Sequence, residues 1–275
     1  MYTQLTKNTG APALTLAALG KMKQAGEKIA CLTAYDASFA ALLDAAGVDL
    51  VLVGDTLGMV VQGQSSTVPV SMDDMVYHTR LVSRGLSRAY LVADMPFLSY
   101  VDVPTAVRNA GRFMQEAGAR MVKLEGTGAQ AEIVAALAAN GIPVCAHLGL
   151  RPQAVEKLSG FRIQGREPDA AKRILDDARE LEQAGADIIL LECIPRALAA
   201  KIHASVSVPV IGIGAGADVD GQILVLYDVL DITPGRKPSF AKNFMHGAAS
   251  IRAAVENYVT AVKQGDYPAA EHGFD

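Results

Sequence analysis

DLVLVGDTLGMVVQG, residues 49–63, is the stretch that decides the fold of this chain. Its run Leu50–Val53 is continuously apolar and contains two valines, which is typical of a parallel strand covered on both faces. Asp55 follows at the carboxyl end of this strand, where the ligand sites of parallel α/β folds gather. Asp55 alone is equally consistent with a residue that caps the next turn, so the other strand ends must decide.

The same cycle of apolar strand, loop and helix with a charged face recurs along the chain. We predict strands at residues 29–33, 50–53, 90–94, 120–125, 142–147, 187–192, 208–213 and 223–229. Helices are predicted at 36–46, from a capping-box-like start at 71, and at 104–117, 129–140, 169–184 and 242–263. These eight cycles favour a single (β/α)8 TIM barrel domain over residues 1–275, with an open doubly wound sheet as the alternative.

Three segments lie outside the regular cycles. A short N-terminal helix that ends at Gly26 is expected to close the floor of the barrel. Residues 148–168 are glycine-rich and cationic, so we expect a lid or a substrate loop there. The C-terminal helix and the polar tail after Gln264 are expected to form a helical extension that either packs on the barrel or exchanges between subunits.

The composition is that of a soluble globular protein whose ligands are small molecules. Of the 275 residues 51% are apolar and 20% charged, and the net charge of −4 comes without a basic cluster, which argues against nucleic acid as a partner. The N-terminal residues lack a basic segment before an apolar core, so neither export nor membrane insertion is indicated. The three cysteines lie far apart in apolar runs, which is typical of small buried side chains in a reducing cytoplasm.

Five successive predicted strands end in ionisable side chains, namely Asp55, Asp94, Lys123 with Glu125, His147 and Glu192. Lys123 and Glu125 are two residues apart on one strand, so both point to the same side. Three carboxylates that converge on one rim repel one another, and the single lysine supplies only one positive charge. A hard divalent cation would balance the remaining negative charge. Oxygen ligands favour Mg²⁺, with Mn²⁺ or Co²⁺ as alternatives.

Two further strand ends carry candidate groups. Glu192 lies between apolar neighbours, where burial would raise its pKa and suit it to proton abstraction. His147, in the second rank, is either an acid–base group or a hydrogen-bonding residue that orients another side chain. GIGAG, residues 212–216, follows the seventh strand and either binds phosphate through backbone amides or allows another group to approach closely.

Several motifs together resemble the ketopantoate hydroxymethyltransferase family almost from end to end. The motifs are TAYD at Thr33, VGDTLGM at Val53, YHT at Tyr77, DMPFLSY at Asp94, VKLEG at Val122, AHLGLRPQ at Ala146, GFRIQGR at Gly160 and IGIGAGADVDGQILV at Ile211. The resemblance implies a (β/α)8 barrel, a Mg²⁺ ion and a homodecamer of two pentameric rings. It also implies that 5,10-methylenetetrahydrofolate donates a hydroxymethyl group to 3-methyl-2-oxobutanoate, giving 2-dehydropantoate for pantothenate synthesis.

The resemblance further implies roles for individual residues. The residues similar to the family's metal ligands are Asp55, Asp94 and Glu125, and those similar to its ketoacid contacts are Asp55, Thr56, Asp94 and Lys123. Glu192 is similar to the proton acceptor. Thr56 stands where the family usually has serine, and it keeps the hydroxyl group.

Two other classes of function remain open at this point. A Mg²⁺-dependent lyase that cleaves ketoacid or phosphoenolpyruvate skeletons would use the same rim of acids on the same barrel. A barrel that binds a metabolite without catalysis is the third class, and it would tolerate Glu192→Gln except in affinity. The requirement for folate separates the first class from the transferase.

Overall fold

The computed structural model describes residues 12–233, 235 and 237–275. Eight parallel strands close into a barrel in chain order, with the last strand beside the first. The strands are β1 Ile29–Thr33, β2 Leu50–Val53, β3 Tyr90–Asp94, β4 Met121–Glu125, β5 Val144–Gly149, β6 Ile188–Glu192, β7 Val210–Ile213 and β8 Gly221–Leu224. The (β/α)8 barrel predicted from the sequence is thus confirmed, and the open sheet is wrong. Residues 1–11 lie outside the described residues, and they include part of the N-terminal segment for which neither export nor membrane insertion was predicted.

Helices surround the barrel and follow the predicted cycles closely. They are α1 Leu16–Ala25, α2 Ala37–Ala45, α3 Leu57–Val60, α4 Met72–Gly85, α5 Val103–Ala117, α6 Ala131–Ala139, α7 Pro168–Gln183, α8 Arg196–Ser205, α9 Leu226–Val229 and α10 Ile251–Gln264. The predicted capping box of α4 is present, because Ser71 and Asp74 bond each other's backbone N–H groups. Across the described ranges, no helix is both long and apolar enough to cross a membrane.

The inside of the barrel is a packed apolar cluster closed from below by α1. Leu19 and Met22 of α1 are buried in the same cluster as the inward-facing residues of the strands. Those inward-facing residues are Ile29, Cys31, Leu50, Leu52, Tyr90, Val92, Met121, Cys145, Ile188, Leu190, Ile211 and Ile223. The expected plug of the barrel floor is therefore present. Because the interior below the mouth is filled, a ligand can enter only from the carboxyl ends of the strands.

Two predicted boundaries are wrong by more than two residues, each for a local reason. The eighth strand ends at Leu224, and the following residues form α9, because an apolar run as short as ILVLYDVL does not distinguish strand from helix. The C-terminal helix begins at Ile251, where Ser250 caps it, and not at residue 242. Helix α8 was not predicted, although its buried residues Leu198, Ala199 and Ile202 have helical spacing.

Helix α10 seals the seam where the barrel closes. The side chain of Tyr258 is fully buried, and its hydroxyl lies 2.8 Å from the carbonyl oxygen of Cys31 in β1 and 2.9 Å from that of Gln222 in β8. One tyrosine thus contacts both strands of the last pair to form along the chain. The tail beyond α10 packs back on the barrel, where Phe274 contacts Phe240.

Asp49 lies just before β2, at the end of the barrel where the strands begin. It holds α10 and the segment that follows α4 in place. Its carboxylate is fully buried and lies 2.7 Å from the Arg88 guanidinium and 2.6 Å from Lys263 Nζ, while Oδ2 accepts the N–H of Ala30. Loss of one member of a buried ion pair leaves the other charges without a partner.

We expect Asp49→Ala to lower the free energy of unfolding by about 3 kcal/mol, because Arg88, Lys263 and the Ala30 N–H each lose a fully buried acceptor. Asp73→Ala is the matched control, since Asp73 pairs with Arg112 while 85% of its side chain is exposed. We expect the control to change stability by less than about 1 kcal/mol. Urea denaturation measures both, and equal losses would contradict the role of the buried pair.

Candidate active site

The ionisable strand ends meet at the carboxyl mouth of the barrel. Asp94, Lys123 and Glu125 end β3 and β4 facing inward, and Asp55 lies just after β2. All four residues are buried, with at most 5% of their surface exposed. The register pairs Asp94 with Lys123 and Glu125 with His147 across neighbouring strands. The strand parity used in the sequence analysis therefore brings these side chains together.

Lys123 lies among the carboxylates and bonds one of them directly. Its Nζ donates to both oxygens of Asp94 at 2.7 Å and lies 4.0 Å from Oε1 of Glu125. Burial lowers the pKa of Lys123, but Asp94, Glu125 and Asp55 outweigh this effect and raise the pKa above its ordinary value. The lysine is therefore charged, and its single charge faces three carboxyl groups.

The carboxyl groups differ in how they respond to this environment. Burial, followed by the charges of Asp94 and Glu125, raises the pKa of Asp55 well above its ordinary value. Burial also opposes ionisation of Glu125, but contacts with His147 and Lys123 outweigh it and lower the pKa of Glu125. Asp55 is therefore the acid whose charge the cluster opposes most.

His147 connects the acid cluster to Glu192. Its Nδ1 lies 3.5 Å from Oε1 of Glu125 and its Nε2 lies 3.2 Å from Oε2 of Glu192. Burial lowers the pKa of His147, but the two facing carboxylates outweigh burial and raise the pKa. The side chain of Glu192 is 16% exposed against 3% for Glu125, so the burial expected for Glu192 is only partial.

Gln153 is a site residue that sequence reasoning missed. Its side-chain amide donates to Oδ2 of Asp55 and to the carbonyl of Met95, both at 2.9 Å, and its backbone N–H donates to Oε2 of Glu125 at 3.1 Å. Its side-chain oxygen accepts the Tyr100 hydroxyl at 2.6 Å. Gln153 is in the motif AHLGLRPQ, but it lies in a single 3₁₀ turn, Pro152–Ala154, which is too short for a periodicity that predicts the direction of a side chain.

The cluster opens into a cavity of about 790 Å³ at the mouth of the barrel. Thr56, His147 and Glu192 line this cavity beside the acid cluster. Residues 161–163 of the segment 148–168, which is predicted to form a lid or a substrate loop, also line it. A cavity of this size accommodates a drug-sized molecule.

The GIGAG segment serves close approach. A Cβ at Gly214 would lie 2.8 Å from the ring of Phe240 and 3.0 Å from the ring of Phe274, and one at Gly216 would lie 2.6 Å from the Arg196 side chain. Both glycines have positive φ, which is strained for other residues. Of the two interpretations left open by the sequence, the structure supports the tight loop.

The chemistry of the acid cluster fits a hard divalent cation. Oε1 of Glu125 is buried and has no hydrogen-bond partner among the described residues, and the oxygen donors around it are carboxylates of the kind that Mg²⁺ prefers. Lys123 engages both oxygens of Asp94, and in the described part of the chain no three His, Cys, Asp or Glu side chains are arranged to hold a metal ion. The chemistry of the donors, and not the present arrangement of the side chains, is therefore the support for a metal.

Comparison with known proteins identifies close relatives. A family model described as ketopantoate hydroxymethyltransferase matches residues 13–270. The 3-methyl-2-oxobutanoate hydroxymethyltransferase of Alkalilimnicola ehrlichii is 57% identical over 274 residues, which are 100% of this chain and 99% of the relative. The enzyme of the same name from Nitrosococcus oceani is 57% identical over 94% of this chain and 98% of its own length.

Solved structures of similar shape are much more distant in sequence. Phosphonopyruvate hydrolase superposes with a TM-score of 0.60 at 17% identity, covering 76% of this chain and 79% of its own. A 2,3-dimethylmalate lyase of the PEP mutase/isocitrate lyase superfamily gives a TM-score of 0.56 at 18% identity, over 78% of this chain and 81% of its own. At such identity the likeness concerns the fold alone.

The raised pKa of Asp55 gives a stability prediction for the protein in the presence of a chelator. A carboxyl group whose pKa is higher in the folded than in the unfolded chain binds its proton more tightly when folded, so stability falls as the pH rises above about 4. We expect Asp55→Asn to raise the free energy of unfolding at pH 8 by about 1 to 3 kcal/mol, because a buried charge is removed. The gain should shrink towards pH 5.

Urea denaturation at both pH values in EDTA measures this gain. The exposed residue Asp73 provides the control variant, Asp73→Asn, which should give no gain at pH 8. A variant Asp55→Asn that is less stable than the parent at pH 8 would show that the carboxylate of Asp55 stabilises the fold.

Proposed function

The chain belongs to the ketopantoate hydroxymethyltransferase family, and from this we propose that it transfers a hydroxymethyl group from 5,10-methylenetetrahydrofolate to 3-methyl-2-oxobutanoate, giving 2-dehydropantoate. The structural observation that carries the proposal is the buried cluster of three carboxyl groups and Lys123 beside His147 and Glu192. The product is used in pantothenate synthesis, as the resemblance implies.

We propose that the ketoacid binds at the acid cluster, against Asp55, Thr56, Asp94 and Lys123. The charged ammonium group of Lys123 complements the carboxylate of the substrate. Asp55 and Thr56 lie where β2 runs into α3, and both line the cavity. The keto and carboxylate oxygens of the substrate are also the groups that a cation at Asp55, Asp94 and Glu125 would hold. When bound there, Mg²⁺ would draw electron density from these oxygens and make the C3–H of the ketoacid more acidic.

Glu192 is the proposed base. It lines the cavity on β6, next along the rim after the acid cluster and His147, and its partial exposure leaves a carboxylate oxygen accessible to substrate. His147 contacts Glu192 from the buried side and thereby fixes its orientation. Transfer of the C3 proton to Glu192 leaves an enolate, which the positive charge of Lys123 stabilises.

Water adds to the methylene carbon of the folate as its two carbon–nitrogen bonds break, which releases tetrahydrofolate and leaves formaldehyde. C3 of the enolate then attacks the formaldehyde carbon, and the new alkoxide takes up the proton held on Glu192. Water supplies the oxygen of the new hydroxymethyl group, so atoms balance without an oxidant or a reductant. This chain's contribution is to position both substrates and to hold the proton on Glu192.

The lyase considered above shares only the fold with this chain. Phosphonopyruvate hydrolase and 2,3-dimethylmalate lyase are 17% and 18% identical to it, whereas the two hydroxymethyltransferases are 57% identical over nearly the full length. The transferase is therefore the better-supported function.

We also propose a cytoplasmic homo-oligomer, specifically a decamer, on the strength of the family resemblance. Several large apolar side chains are exposed on the single chain, among them Tyr77, Leu98 and Val101, and faces of this kind are typical of subunit contacts. Light scattering at micromolar concentration should report a mass far above the 28.9 kDa of one chain. A mass near that of the monomer would contradict the proposal.

Isotope exchange tests the function at its first chemical step. In D₂O with Mg²⁺ and 3-methyl-2-oxobutanoate, but without folate, the enzyme should exchange the hydrogen on C3, because enolisation needs no one-carbon donor. Glu192→Gln should still bind the ketoacid but exchange about 10² to 10⁴ times more slowly, as expected for loss of a general base. Glu256→Gln, on the outer face of α10, is the matched control and should exchange normally.

The same assay reports on the metal. A chelator should abolish exchange, added Mg²⁺ should restore it, and Asp94→Ala should lose both metal affinity and exchange. If Glu192→Gln exchanges at the parent rate, the base lies elsewhere, and His147 becomes the first candidate. Full exchange in chelator would contradict the metal site.

A further inference from the structure

The cavity at the barrel mouth has two chemically different sides. The rim order places the acid cluster on β2 to β4, His147 on β5 and Glu192 on β6. Beyond Glu192, at and after β7 and β8, most of the lining is apolar, with Ile213, Phe240 and Phe274, and its polar side chains are Asp228, Thr233, Lys237 and Ser239. At about 790 Å³ the cavity is of the size that holds a drug-sized molecule, so a five-carbon ketoacid at the acid cluster leaves the β7 and β8 side free.

The aromatic side is formed by rings that their neighbours hold in place. Phe240 and Phe274 form an edge-to-face pair with ring centroids 6.4 Å apart, and both rings close on Gly214, whose lack of a side chain admits them. The backbone at Phe274 is held in place because its carbonyl accepts the Arg196 N–H at 2.9 Å. A third aromatic ring, Phe161, lines the same cavity and is 58% exposed. Flat apolar surfaces of this kind bind planar rings.

A buried carboxyl group gives the aromatic side a polar end. Asp228 lines the cavity in α9, and its Oδ1 accepts the Thr233 hydroxyl at 2.6 Å. Burial raises the pKa of Asp228, while Thr233 and Lys237 lower it. A carboxylate with one oxygen bonded in this way can accept N–H donors from a ligand on the other, and such a bond would offset part of the cost of burial.

Glu192 lies between the two sides of the cavity, and its position determines where the two substrates lie relative to each other. Removal of the C3 proton by Glu192 leaves a planar enolate with one face towards Glu192, and a carbon donor that adds to this face approaches from the part of the cavity that adjoins Glu192. The β7 and β8 side meets this requirement. A second cavity, of about 570 Å³ and lined by Phe97 and Leu98, lies on the other side of Glu125 and Gln153, away from Glu192.

We propose that the aromatic side of the cavity, formed by Phe240, Phe274 and Asp228, binds the fused-ring part of the folate donor. This inference rests on the proposed function. The ring system of a reduced folate is broad and nearly flat at its pyrimidine end, where an amino group and a ring N–H lie side by side. Those two donors match the carboxylate of Asp228, while the ring face lies on Phe240 and Phe274. Phe274 lies beyond residues 13–270, the part that matches the family model.

Binding of tetrahydrofolate to the full-length oligomer in Mg²⁺, measured by calorimetry, tests the proposal. We expect Phe274→Ala and Asp228→Asn each to raise the Kd for tetrahydrofolate at least about tenfold, since each removes a buried contact with the ring system. Phe97→Ala is the matched control: it removes an exposed phenylalanine that lines the second cavity and should bind as the parent does. Asp228→Asn keeps the size of the side chain, so a loss of affinity in this variant reports the loss of the carboxylate and not a change in the packing of α9.

The outcomes separate this proposal from the one on which it rests. Normal affinity in both Phe274→Ala and Asp228→Asn would overturn the aromatic subsite, and a loss of affinity in Phe97→Ala alone would move the donor to the second cavity. In either case the C3 exchange by the parent enzyme would still support the transferase. A parent enzyme that neither exchanges C3 hydrogen nor binds tetrahydrofolate would overturn the proposed function itself.

Discussion

The excess of negative charge at the barrel mouth is the constraint on which the rest of the site depends. Asp55, Asp94 and Glu125 are buried close enough to a single lysine for all three to raise its pKa, and buried charges interact far more strongly than charges in water. The surrounding side chains reduce this strain, since Gln153 and His147 each contact one or two carboxylates. A cation from solution would complete the balance, and the fold thus has a physical reason to bind one.

The barrel separates what holds the fold from what performs the chemistry. At the amino ends of the strands α1 closes the interior, and the carboxylates Asp49 and Glu27 pair with Arg88 and Lys263, so these charges balance within the chain. At the carboxyl ends charge is unbalanced, and the groups vary in exposure from Glu125 to Glu192. A barrel can keep its frame constant while the rim changes, which explains why hydrolases and lyases with little sequence identity share the architecture.

Much of the fold and the acid cluster could be predicted because strands obey a two-residue period. Once β3 and β4 are assigned, the alternation of side chains along a strand gives the inward direction of Asp94, Lys123 and Glu125. The register between the two strands then places Asp94 beside Lys123. Gln153 and the aromatic side could not be predicted in this way. Gln153 lies in a 3₁₀ turn, and the aromatic side is formed by loops and by the short helix α9. In such segments the direction of a side chain depends on contacts distant in sequence.

The seam sealed by Tyr258 has a consequence for the synthesis of this chain on the ribosome. The strands β1 and β8 can pair only after most of the barrel has emerged, and the tyrosine that contacts both follows later still. Until then the nascent barrel is an open parallel sheet with two unpaired edges, which is a form prone to pair with other chains. Closure of the ring is thus a late event, and a chaperone that shields these edges would raise the yield of native protein.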